Sequence, residues 1–106
     1  MIEKSLQQNR GFTNLCKALA VLKTEKQVAA FLRDVATLRE LNEMSERLQA
    51  AQLIKKGLPY RAISKKTGAS TTTVARVAWW LNNGEGGYNL VLNHHASSHP
   101  SGKRLR

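Results

Sequence analysis

Four short hydroxyl side chains in a row, Ser70, Thr71, Thr72 and Thr73, follow Gly68 after a single alanine and sit among cations. Hydroxyls that open a helix can reach phosphate oxygens beside the free main-chain amides, and threonine methyls can touch thymine in a major groove. The cations are Arg47, Lys55, Lys56, Arg61, Lys65, Lys66 and Arg76, and from Arg47 to Gly84 there is no Asp or Glu. A solvated lysine face is the ordinary origin of a charge run, but the faces of soluble proteins usually mix signs. The chemistry on offer is contact with a polyanion.

That contact requires a corner. In a helix-turn-helix two helices meet at about 90 to 120 degrees across a three- or four-residue turn, and the second enters the major groove. Ile63 and Val74 have the offsets to pack against each other, Ser64 is small enough for the backbones to approach, and Gly68 can take positive φ. Two short helices about a glycine also occur in bundles that never meet DNA, and the acid-free cationic window is what favours DNA here.

The rest of the chain reads as further helices, so the fold class is all-α. Phe12, Leu15, Cys16, Leu19 and Leu22 recur at spacings of three and four and predict a first helix. Thr24 with Gln27, and Thr37 with Glu40, have the spacing of capping boxes. The first opens a helix through Val28, Phe31, Leu32 and Val35. The second opens a longer one with Leu41, Met44, Leu48, Ala51 and Ile54 on one face, stopping at Gly57. Pro59 suits the first turn of a short helix that Gly68 ends. Ser70 caps the next, carrying Val74, Val77, Ala78 and Leu81 up to a breaker of Asn82, Asn83, Gly84, Gly86 and Gly87, and Tyr88, Leu90, Val91 and Leu92 make a last short helix. Residues 1–10 read as a flexible arm, 11–93 as the domain with its helix-turn-helix at about 59–81, and 94–106 as a disordered basic tail.

Composition narrows the class. A chain of 106 residues with a formal net charge of +10 is one small basic domain, and association with a second copy would enlarge its core. Cys16 is the lone cysteine, which fits a reducing compartment, and no apolar run approaches the ~20 residues that cross a bilayer, so a cytoplasmic protein without membrane contact is expected. His94, His95 and His99 have no carboxylate or thiol nearby, and a DNA-touching tail is expected there rather than a metal site. Of Trp79 and Trp80, adjacent on a helix, one is expected in the core. No catalytic constellation and no phosphate-cradling loop is present, so no enzyme is expected.

Thr37-Leu-Arg-Glu-Leu-Asn-Glu-Met-Ser-Glu-Arg, Ile54-Lys-Lys-Gly, the stretch from Tyr60 to Val77, and Leu81-Asn-Asn-Gly-Glu-Gly-Gly-Tyr-Asn-Leu-Val-Leu together resemble the Trp repressor superfamily, and within it the YerC/YecD branch. The similarity runs from about Phe31 to Leu92. It implies a bundle of about six helices, intertwined as a homodimer, that binds double-stranded DNA and regulates transcription, as a repressor. By resemblance Arg61 matches a base- or phosphate-contacting arginine, and Thr71, Thr72, Thr73 and Ala75 the start of the reading helix. Arg47 and Arg76 match two arginines that sandwich a corepressor, and Thr37 a backbone-binding position of that pocket. Where tryptophan-binding members carry glycine after the second arginine, this chain has Val77, whose two extra carbons fill the space for an indole. No cofactor is therefore expected, and Arg47 and Arg76 are expected to meet phosphate or an acidic side chain. The DNA-binding set is thus Arg61, Lys65, Ser70, Thr71, Thr72, Thr73, Ala75 and Arg76, with Thr37, Arg47 and Arg76 as a possible effector set. A nucleoid-type protein that coats DNA without choosing sequences, and a helix-turn-helix module that binds a protein, remain alternatives.

Overall fold

A computed structural model of the chain describes residues 2–98. Among these residues it forms seven α-helices and no strand: α1 (Lys4–Gln7), α2 (Arg10–Val21), α3 (Glu25–Val35), α4 (Leu38–Lys55), α5 (Tyr60–Thr67), α6 (Thr71–Asn83) and α7 (Gly87–Ser98). The seventh, beyond the six expected, is the single turn α1 within the segment read as an arm. None of these helices is long and apolar enough to cross a membrane.

Local signals set the boundaries. Asn9 caps α2 by accepting from the Phe12 amide at 2.9 Å. Thr24 accepts from the Gln27 amide at 3.1 Å, while the Gln27 side chain reaches past the cap to the Lys23 amide at 2.8 Å. At α4 the box is reciprocal: Thr37 Oγ1 accepts from the Glu40 amide at 3.1 Å and the Glu40 carboxylate accepts from the Thr37 amide at 2.8 Å. These bonds to the carboxylate hold the Glu40 pKa below its ordinary value. Gly57 ends α4 at φ 86°. Pro59 precedes the first helical residue of α5 and is not inside its first turn.

The chain divides into two structural units, Met1–Asn42 and Glu43–Arg106. In the first, α1 packs on α2, and no described residue is buried. In the second, Ala50 and Ala51 of α4, Ile63 of α5, Ala69 of the turn and Val74 and Val77 of α6 form a core, with Leu53, Ile54, Leu58, Tyr88 and Leu92 packed around it. Two alanines on α4 let the α5–α6 corner approach closely, and Ile63 and Val74 are the largest side chains wholly removed from solvent. Helix α7 runs to Ser98, so the domain limit expected at residue 93 falls inside a helix. Residues 99–106 of the expected tail lie outside the described residues.

Candidate nucleic-acid interface

The corner between α5 and α6 is built by side chains that return to the backbone. Gly68 lies at φ 84°, and its amide donates to the Ser64 carbonyl at 3.0 Å. Thr67 Oγ1 donates to the Ile63 carbonyl at 2.9 Å and accepts from the Ala69 amide at 3.1 Å, while Ser64 Oγ donates to the Ala69 carbonyl at 2.6 Å. Ser64, expected only to be small, thus also ties the turn to α5, and Thr67 is a turn-former that the sequence did not single out. Glu46 of α4 approaches the same corner: a Cβ on Gly68 would lie 3.3 Å from its carboxylate. The cationic window, free of acids along the chain, therefore has one beside its turn.

The four hydroxyls divide into two pairs. Ser70 Oγ accepts from the Thr73 amide at 3.1 Å and donates to Thr73 Oγ1 at 3.1 Å, so Ser70 and Thr73 are engaged in the cap of α6. Thr71 and Thr72 are exposed, as are Ala75 and Arg76 further along α6 and Arg61, Lys65 and Lys66 on α5. Outward-facing cations and hydroxyls on two helices joined by a rigid corner can neutralise phosphates with one and reach base edges with the other.

Arg47 and Arg76 do come together. With Thr73, Val77, Trp80 and Tyr88 they line a cavity of about 300 Å³. Val77 is only 3% exposed, being at once a wall of this cavity and part of the core. Tyr88, not singled out as a site residue by the sequence, stands in the same wall. Burial raises its phenol pKa above the ordinary value against the opposing charge of Arg47, so the ring is neutral at physiological pH. The Gly86-Gly87-Tyr88 word was the one available signal for it. Thr37 belongs to the first unit, where its hydroxyl and amide are both engaged with Glu40.

Neither tryptophan is in the core, contrary to the expectation for one of them: Trp79 is 55% and Trp80 47% exposed. Their rings meet edge to face, centroids 5.0 Å apart at 83°. Gly84 gives Trp80 its place, since a Cβ there would lie 2.5 Å from the Trp80 carbonyl oxygen and 2.9 Å from its indole.

Comparison with known proteins agrees with this geometry. Residues 10–96 match the Trp repressor protein family. The chain is 33% identical over 86 residues to the uncharacterized protein YerC of Bacillus subtilis, covering 81% of this chain and 83% of that one. A TrpR-like protein from Eubacterium eligens superposes with a TM-score of 0.78 at 32% identity, covering 84% of this chain and 92% of its own. A candidate Trp repressor from Staphylococcus aureus gives 0.81 at 29% identity, covering 91% and 96%. With helices, corner and sequence all in agreement over most of its length, this chain belongs to the Trp repressor protein family.

Proposed function

We propose that the protein is a sequence-specific, DNA-binding transcriptional regulator, a repressor that acts as a homodimer through α5 and α6, and we place it in the cytoplasm. The observation that carries this reading is the outward tip of α6: Thr71, Thr72, Ala75 and Arg76 are exposed on a helix whose entry is fixed by Gly68 and Ser70, beside the exposed Arg61 and Lys65 of α5. Lys65 and Lys66 supply affinity through phosphates, and Arg61, Thr71 and Thr72 supply selectivity. Ser70 and Thr73 act by shaping the cap. Paired tips in a dimer would meet successive major grooves about 34 Å apart. The buried Val77 in the wall of the Arg47–Arg76 cavity supports a regulator that does not take tryptophan as corepressor.

Selection from random duplexes at physiological salt, with and without amino acids, tests this reading. An enriched pseudo-palindrome, unchanged by added tryptophan, is the expected result. Retention of every duplex alike would replace a sequence-specific regulator by a coating protein, and retention of none at ~0.1 M salt would remove DNA as the partner.

A further inference from the structure

Trp79 has no structural task that its position explains. It is 55% exposed, and its ring rests edge to face on Trp80, which Gly84 in turn accommodates. An α-helix advances about 100° per residue, so Thr72, Ala75, Arg76, Trp79 and Asn83, at intervals of three and four, share one face of α6. All five are exposed. The opposite face carries the buried Val74, Val77 and Ala78. An indole thus stands in the middle of the surface that bears the hydroxyls and the guanidinium, with no acidic residue anywhere on its helix.

Its distance from the tip decides what it can meet. Trp79 follows Thr72 by seven residues, a rise of roughly 10 Å at ~1.5 Å per residue. A major groove is about 12 Å wide. With Thr72 at the base edges, a side chain that far along the same face lies at the groove wall, where deoxyribose carbons and phosphate oxygens alternate. Indole suits that wall: its Nε1–H donates to a phosphate oxygen while its carbocycle covers the sugar. The ring costs little entropy to fix, because Trp80 already restrains it.

We propose that Trp79 is a DNA-positioning residue that clamps the sugar–phosphate wall of the groove as a neutral hydrogen-bond donor, an assignment that rests on the DNA-binding reading above. A neutral donor displaces no counterion, so it differs from a lysine in a measurable way. Trp79→Ala, a change at an exposed position, should weaken binding to the selected duplex about tenfold, as loss of one hydrogen bond to a charged group would. The slope of log affinity against log salt should stay at the wild-type value, whereas Lys65→Ala should flatten it by about one unit. Trp79→Phe, which keeps the ring and loses the N–H, should fall between Ala and wild type. Quenching of indole emission on adding duplex should be present in the wild type and lost in Trp79→Phe.

Wild-type affinity in Trp79→Ala, or a salt slope changed as by Lys65→Ala, overturns the clamp while leaving the DNA-binding reading intact. A lower sedimentation mass in Trp79→Ala overturns it in favour of a protein contact. Failure of the wild type itself to bind any duplex overturns both.

Discussion

At the scale of single residues, the second unit separates side chains that build from side chains that reach. Ile63 and Val74 are wholly buried and join α5 to α6, so Ile63→Ala should cost about 2 to 5 kcal/mol in denaturant unfolding. Arg61 and Lys65 are exposed one helical turn apart on α5, and neither truncation should affect folding comparably. Their effects on DNA should differ in kind. Arg61→Ala should lose about 1 to 3 kcal/mol on the selected site and relax preference at one base pair, while Lys65→Ala weakens all sequences alike. Binding measured on the selected duplex and a scrambled one distinguishes them, and equal losses on both duplexes for both variants would refute the division. Val77 belongs with the builders. Restoring the glycine found in tryptophan-binding relatives removes a buried valine and places glycine inside α6, a loss of about 3 kcal/mol in thermal or denaturant unfolding. If Val77→Gly were as stable as the wild type, Val77 would have to be regarded as pocket filling alone.

At the scale of elements, the turn and the caps carry the geometry. Gly68→Ala should destabilise by about 1 to 2 kcal/mol, because an L-residue is strained at φ 84° and its new methyl would press on the Glu46 carboxylate. Ser70→Ala removes the oxygen that accepts from the Thr73 amide and should cost about 1 kcal/mol. If Ser70 acts through the cap, a threonine there should restore most of the DNA binding that alanine loses. The reciprocal box at α4 adds a pH dependence of definite sign. Glu40 has a folded pKa below its ordinary value of 4.5, so its contribution is complete above that value and disappears as pH falls through the lower, folded one. Titration of the Glu40 carboxyl carbon by NMR should show the depressed midpoint, and a midpoint at or above 4.5 would remove the cap as its cause. These devices were legible in the sequence because each is local, with a cap and its partner three residues apart and a glycine where the chain must turn. What could not be read involves residues far apart in the chain. Glu46 reaches the Gly68 turn across an inter-helix approach, Tyr88 joins Arg47 and Arg76 across three helices, and both tryptophans stay outside because Val74, Val77 and Ala78 already fill the core side of α6. A period along one helix identifies its apolar face, but not how much apolar surface the neighbouring helices can cover.

At the scale of the whole molecule, the two units differ in what they have to bury. The second has a core, whereas no described residue of the first is removed from solvent, although α2 and α3 are strongly amphipathic. Leu15 and Leu19, one turn apart on α2, and Val28 and Val35, two turns apart on α3, are all exposed. Apolar stripes of this kind gain about 25 cal/mol for each Å² removed from water, and helices of 12 and 11 residues are marginal by themselves. A second copy of the chain presents the same stripes in a symmetric arrangement, and the homodimer proposed above would cover them. Folding and association are then linked, so the melting temperature should rise with protein concentration, as it does not for a monomer. Leu15→Asp with Leu19→Asp places two charges on the α2 stripe without touching the second unit's core. The variant should sediment at half the wild-type mass and bind a full pseudo-palindrome no better than an isolated half-site, because the two reading heads are no longer joined. The α5–α6 corner should survive in it, visible as retained weak, salt-sensitive binding to a half-site. A variant that keeps the wild-type mass would show that α2 faces something other than a second copy.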